Sequence, residues 1–134
     1  MFERALEETV RQISREGRRI CVLHDSPTFE RSVPHVLAMA SIRGLEIDSP
    51  LLSRAAADAQ QPDIDAGIDR LAARGLITAV DLRAQLCDAK SCRVERDGWP
   101  LYLDSNHLSR EGARVASPAL DRCFQVDTDV DEGT

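Results

Sequence analysis

The stretch RICVLH, residues 19–24, is a short apolar run that predicts a buried strand of a parallel sheet. Before it, apolar residues recur at helical spacing within residues 2–16, and Gly17 marks the end of this predicted helix. After it, two prolines within residues 26–34 predict a loop, and a short helix is predicted over residues 36–43. The strand is therefore flanked by helices on both sides along the chain.

A second strand is predicted at residues 76–82, LITAVDL, after a long helical segment at residues 51–74 that Pro62 interrupts. This alternation of helices and strands is typical of an α/β fold with a parallel sheet and flanking helices. Two strands are fewer than doubly wound domains usually contain, so we expect part of such a sheet, beginning in the middle of a fold. We assign residues 1–124 to this partial domain and residues 125–134 to an acidic, disordered tail.

Composition limits the class of protein. The 134 residues suit one domain, and the net charge of −6 with a pI near 5.0 argues against nucleic acid as a partner. No window approaches the roughly 20 apolar residues of a membrane span, and the charged N-terminus has no apolar signal core. From these features alone we expect neither export nor membrane insertion.

The four cysteines have separate interpretations. Cys21 lies in an apolar run and is interpreted as a small core residue, whereas Cys123 gives no spacing signal. Cys87 and Cys92 flank a short polar loop, which a disulfide could close or which could carry two free thiols. A zinc site is disfavoured because four ligands are needed and no histidine accompanies the pair. A disulfide would indicate an oxidising compartment, which the absence of a signal peptide does not favour.

The stretch DGWPLYLDSNHLSREGA, residues 97–113, carries the candidate chemistry. Its Asp-Gly pair predicts a hairpin turn between strands at residues 93–95 and 101–103. The second strand would deliver Asp104 to its C-terminal end, where open α/β sheets build their sites. Trp99, beside the turn, is expected to pack as a lid rather than to serve as a substrate platform.

Asp104 and His107 are three residues apart in a turn that precedes a helix with Ser109 as its N-cap. Residues at this spacing lie on the same side, so the carboxylate could bind the ring nitrogen Nδ1. The other nitrogen, Nε2, would then be free to take a proton from a hydroxyl group. The alternative is an ordinary Asx-type turn that carries a surface histidine.

The segment as a whole resembles a family. It is similar to the C-terminal end of the SGNH hydrolase-type domains that are fused to membrane acyltransferases and O-acylate bacterial surface glycans. Residues 18–37 also resemble that family's strand followed by a proline-centred loop. The matching C-terminal positions are a cysteine pair, a Leu-Tyr-x-Asp strand end and an Asp-x-x-His-Leu-Ser turn, here Cys87, Cys92, Leu101, Tyr102, Asp104, His107, Leu108 and Ser109.

The resemblance implies an O-acyltransferase or esterase in which Asp104 and His107 are two members of a catalytic triad. It implies an acyl donor and a glycan acceptor as substrates, with no cofactor and no metal. In full-length relatives it also implies a membrane acyltransferase domain upstream and a position on the periplasmic or extracytoplasmic face of the membrane.

One part of the family pattern is missing. The family takes its nucleophile from a Gly-Asp-Ser turn, and the nearest equivalent here is His24, Asp25 and Ser26. Ser26 is a poor candidate because a histidine replaces the glycine and Pro27 removes the next amide donor. We therefore expect the chain to be inactive alone, as a fragment. The alternative is a small, non-catalytic α/β binding or interaction module; the acyl group, the acceptor and the oligomeric state stay open.

Overall fold

The computed structural model describes residues 1–47 and 50–125. The predicted tail therefore lies, apart from Gln125, outside the described residues. None of the described helices is long and apolar enough to cross a membrane. The elements, in chain order, are α1 Phe2–Ile13, β1 Cys21–Leu23, α2 Val33–Arg43, α3 Arg54–Asp58, α4 Pro62–Ala73, β2 Thr78–Val80, α5 Arg83–Leu86, β3 Glu95–Arg96, β4 Trp99–Pro100, α6 Arg110–Ala116, a 3-10 turn Ser117–Leu120, and α7 Asp121–Phe124.

The two predicted sheet strands pair in parallel, which confirms the α/β fold with flanking helices. Val22 of β1 lies opposite Ala79 of β2, and the N–H of His24 donates to the carbonyl of Val80 at 2.8 Å. Helices α2, α3 and α4 form the crossover that parallel pairing requires. Within the described residues β1 pairs with β2 alone. Leu23 is 45% exposed, so β1 is less buried than the sequence predicts.

Helix α1 packs on α4 over a small core formed by Val10, Ile68, Leu71 and Ile77. Ion pairs at its solvent edge join Glu3 to Arg70 and Glu7 to Arg74, each at 2.7 Å. A larger core, centred on Tyr102, Leu101 and Leu86, lies below the C-terminal segments.

Prolines and caps explain where the helices differ from prediction. Helix α2 begins at Val33, three residues earlier than predicted, because a proline is tolerated in the first helical turn. The predicted helix 51–74 divides at Pro62, and its start shifts to Arg54, where the Ser53 hydroxyl accepts from the N–H of Ala56. The predicted C-terminal helix likewise divides at Ser117, which precedes Pro118.

The prediction of a strand at residues 101–103 is wrong. The hairpin turn at Asp97 and Gly98 is present, with φ of 52° and 80°, but it joins the shorter strands β3 and β4. Leu101 and Tyr102 are both fully buried, whereas Leu103 is 67% exposed, which excludes the alternation of a strand. The chain turns here instead, because α6 packs directly on the Leu101 backbone.

Two disulfides hold the domain together. Cys87 and Cys92 form a disulfide rather than two free thiols, with a Cα separation of 3.8 Å. The interpretation of Cys21 as a core residue is wrong, because it is half-buried and bonded to Cys123 across a Cα separation of 6.1 Å. This second bridge ties β1 to α7 over 102 positions of sequence, a distance at which spacing carries no signal.

We expect the two bridges to differ in their contribution to stability. Loss of Cys21–Cys123 by paired serine substitution should lower the free energy of unfolding by roughly 4 kcal/mol, since it closes a loop of about 100 residues. The same change at Cys87 and Cys92, five positions apart, should cost only roughly 2 kcal/mol. Urea denaturation of the two variants measures the difference, and equal losses would contradict it.

Gly112 should tolerate no side chain. A Cβ atom there would lie 1.9 Å from the carbonyl oxygen of Leu101, so Gly112→Ala should destabilise the protein by roughly 3 kcal/mol or more. Gly67→Ala is the matched control, because its Cβ would meet its nearest neighbours at 3.4 Å and alanine favours a helix. Thermal unfolding that shows both variants equally stable would disprove this contact.

Candidate active site

The candidate site lies in the loop between β4 and α6. Tyr102 and Leu108 form an antiparallel bridge across the loop, and the N–H of Leu103 donates to the carbonyl of His107 at 2.7 Å. The loop leads directly into α6, where the Ser109 hydroxyl accepts from the N–H of Gly112 and donates to the carbonyl of Pro100. Both ends of the loop are therefore anchored.

Both oxygens of the Asp104 carboxylate are used within this loop. Oδ1 accepts from the N–H groups of Asn106 and His107, at 2.9 and 2.8 Å. Oδ2 lies 2.7 Å from Nδ1 of His107, so the contact predicted from the spacing is present. The two backbone donors and then the histidine ring lower the pKa of Asp104 to about 2. The carboxylate is therefore ionised at neutral pH and holds the ring by its Nδ1.

The position of the pair differs from the sequence-based prediction. Asp104 does not follow a strand of the parallel sheet; the loop after β1 and the first residue of α2 hold its turn instead. The N–H of Val33 donates to the carbonyl of Asp104, and the N–H of Phe29 donates to the carbonyl of Ser105. The pair thus lies beyond the C-terminal end of β1, and the His107 side chain is 73% exposed.

Ser26 belongs to the same loop after β1, but its hydroxyl is directed elsewhere. It donates to the carbonyl of Asn106 at 2.6 Å, while the Ser26 N–H donates to the Asp25 carboxylate. Within the described residues, no hydroxyl or thiol group forms a hydrogen bond with His107. The arrangement can therefore orient an imidazole and accept a proton at Nε2, but it does not join that imidazole to a nucleophile.

Tyr102 supports the loop from below. Its ring makes an edge-to-face contact with Phe29, with 4.8 Å between the ring centroids. Burial raises the pKa of Tyr102 above its ordinary value, and its hydroxyl has no hydrogen-bond partner within the described residues. Leaving such a group without a partner costs roughly 1–3 kcal/mol.

A second polar cluster, which the sequence did not indicate, lies at the C-terminal ends of both parallel strands. His24 is buried directly after β1, with Nδ1 3.1 Å from Asp65 and Nε2 3.1 Å from Asp69. Arg83, also buried, binds Asp65 at 2.8 Å and Asp81 at 2.9 Å. Burial opposes the charge of Arg83, but the hydrogen bonds to Asp81 and Asp65 outweigh it and raise its pKa.

This cluster is an ion-pair network rather than a metal centre. Among the described residues no group of His, Cys, Asp or Glu is arranged to hold a metal ion. The cluster fastens α4 to the ends of the two strands, since Asp65 and Asp69 belong to that helix. The signal available in the sequence was a polar residue immediately after each strand, His24 and Asp81.

The family model of the SGNH domain (fused to AT3 domains) matches residues 1–122. The chain is also similar to a solved structure, the periplasmic domain of a lipopolysaccharide acetyltransferase of Salmonella ser. Paratyphi A, with a TM-score of 0.70 and 16% sequence identity. The similarity covers 90% of this chain and 48% of that one, so the chain spans about half the length of that structure. No curated protein matches the chain.

We expect Asp104 to titrate with a pKa of about 2, and His107→Ala to leave most of this lowering in place. The reason is that the backbone N–H donors outweigh the histidine ring. Since the pKa is lowered in the folded state, Asp104 stabilises the fold above its ordinary pKa near 4. That stabilisation is lost as the pH falls towards 2. Carbon-13 NMR of the carboxyl group measures the titration, and an ordinary Asp pKa in His107→Ala would contradict the backbone cause.

Proposed function

Since the chain belongs to the family of SGNH domains that are fused to AT3 domains, we propose that it supplies the acid–base half of an acyl-transfer site for a bacterial surface glycan. The observation that carries the proposal is the 2.7 Å contact between Asp104 Oδ2 and His107 Nδ1. It fixes the tautomer in which Nε2 accepts a proton, as general base catalysis requires.

In the proposed reaction, a serine hydroxyl gives its proton to Nε2 of His107 while its oxygen forms a bond to the carbonyl carbon of the acyl donor. The bond to the donor's leaving group then breaks, and His107 returns the proton to that group. A glycan hydroxyl, or water, next loses its proton to His107 and attacks the acyl-serine; the bond to the serine oxygen breaks, and His107 returns the proton to that oxygen. Asp104 stabilises the imidazolium that forms in both halves of the reaction.

We propose that the serine comes from a segment outside these 134 residues. The sequence contains no Gly-Asp-Ser, and the Ser26 hydroxyl binds a backbone carbonyl rather than His107. Two observations support a missing half. The chain spans about half of the solved acetyltransferase domain. Within the described residues β1 also pairs on one edge alone, and its own residue Leu23 is exposed.

The two disulfides also support an oxidising, extracytoplasmic compartment for the working protein. A membrane acyltransferase domain would deliver the acyl group there, as the AT3 fusion of this family suggests.

The competing function is a small, non-catalytic α/β binding or interaction module. The 73% exposure of His107, and the fact that no hydroxyl group binds it among residues 1–47 and 50–125, favour this alternative. Under that function Asp104 and His107 only shape the loop, and no upstream segment would confer turnover.

We expect the isolated chain to hydrolyse p-nitrophenyl acetate no faster than its His107→Ala variant does. Among the described residues no nucleophile is bound to His107. The sequence also has no Gly-Asp-Ser segment, which in the family supplies oxyanion donors that contribute roughly 10²–10³ each in rate. A longer polypeptide that restores an upstream Gly-Asp-Ser segment should be active, and His107→Ala there should lower kcat roughly 10³-fold or more.

Two controls separate the explanations. Ser26→Ala should leave the restored polypeptide unchanged; turnover by the short chain that Ser26→Ala abolishes would instead identify Ser26 as the nucleophile. An inactive restored polypeptide, or one indifferent to His107→Ala, would favour the binding module.

A further inference from the structure

A cavity of about 610 Å³ lies beside the Asp104–His107 pair, and the proposed chemistry makes no use of it. Leu103 forms one wall, one residue before Asp104, and its N–H donates to the carbonyl of His107. Trp99 of β4 forms another wall, and the buried Tyr102 lies at the base. The cavity and the pair are therefore built on one short loop.

The apolar walls of the cavity are exposed. Trp99 is 70% exposed and Leu103 is 67% exposed. The expectation that Trp99 packs as a lid is therefore wrong, because most of the indole is open to solvent. An exposed tryptophan beside polar groups is typical of a recognition surface, since its large rigid ring costs little entropy to order. The flat indole can receive the C–H face of a sugar ring.

The opposite side of the cavity is cationic. Arg110 and Arg114 line it together with a single carboxylate, that of Glu111. Glu111 lies 3.5 Å from Arg114 and 3.9 Å from Arg96, while Arg110 has no carboxylate partner among the described residues. The local charge is thus positive on a chain whose net charge is −6. A guanidinium group binds carboxylate and phosphate through two parallel hydrogen bonds.

We infer that this cavity is the acceptor subsite and binds an acidic sugar residue of the glycan. The pyranose ring stacks on Trp99, and its carboxylate or phosphate binds Arg110 and Arg114. The inference rests on the proposed function and deepens it by naming the substrate class. A sugar held against Leu103 places the next residue of the glycan at the adjacent turn, where a hydroxyl can reach His107.

The test uses the intrinsic fluorescence of Trp99, the only tryptophan in the chain. Trigalacturonic acid should change the emission saturably, whereas maltotriose, a neutral sugar of the same length, should bind roughly tenfold more weakly or worse. Glucose 6-phosphate distinguishes a phosphate from a carboxylate as the favoured anion. High salt should lower the affinity for the acidic ligands but not for maltotriose.

The variants locate the binding site. The double variant Arg110→Gln, Arg114→Gln should lower the affinity for trigalacturonic acid at least tenfold. Arg43→Gln, which removes an exposed arginine of α2, should leave that affinity unchanged. Trp99→Ala removes the fluorescent residue, so its binding is measured by calorimetry. It should lower the affinity for the acidic and the neutral sugars alike.

Three results would overturn the inference: equal affinity for the neutral sugar, no effect of the double arginine variant, or an emission change that follows protein concentration without sugar. The last would mean that a second copy of the chain covers Trp99. The assay does not depend on turnover. Binding without acyl transfer by the restored polypeptide would refute the proposed reaction alone, and transfer without binding would refute the subsite alone.

Discussion

The close approach of α6 to the backbone of Leu101, which glycine at position 112 alone permits, is the constraint on which the candidate site depends. A Cβ atom at Gly112 would lie 1.9 Å from the Leu101 carbonyl oxygen, and the N–H of Ser109 donates to that same carbonyl. The loop between them is thereby closed at its base. Its tip is the tight turn that carries Asp104 and His107, held by the N–H groups of Asn106 and His107 on the Asp104 carboxylate.

The turn also shows how a surface pair can be ordered without burial. Asp104 is half-exposed, so solvent screens its charge interaction with His107 and that interaction alone would orient the ring weakly. The two backbone N–H groups on Oδ1 hold the carboxylate in place, and Oδ2 then presents a fixed acceptor to Nδ1. The backbone therefore fixes the position of the Asp104 carboxylate, and the carboxylate in turn orients the His107 ring.

The ends of the parallel strands carry two different polar arrangements. Directly after β1, the buried His24 joins Asp65, Asp69 and Arg83 in a network that fastens α4 to the sheet. Further along the same loop, backbone donors hold the exposed turn at Asp104. The first is built around the buried side chains of His24 and Arg83 and joins two strands to a helix, which suits a structural role. The second is open to solvent beside an apolar and cationic cavity, which suits a ligand.

The sequence by itself determined what depends on near neighbours along the chain. The turn at Asp97 and Gly98 and the Asp104–His107 contact each join residues at most three positions apart, where local geometry limits the choices. For Cys87 and Cys92, five positions apart, the sequence favoured a bridge but left free thiols open. The alternation of helices and strands was readable because each element shows its own periodicity. The role of Asp104 and His107 in catalysis stays a prediction.

Only the tertiary structure decided what depends on distant partners. Cys21 bonds to Cys123 across 102 positions, and His24 contacts Asp65 and Asp69 on α4, the last helix of the crossover, more than 40 positions along the chain. Residues 101–103 look like a strand in the sequence, yet the approach of α6 turns them into a loop and leaves Leu103 in solvent. Burial and pairing of this kind are properties of the packed elements together, so no single stretch of the chain encodes them.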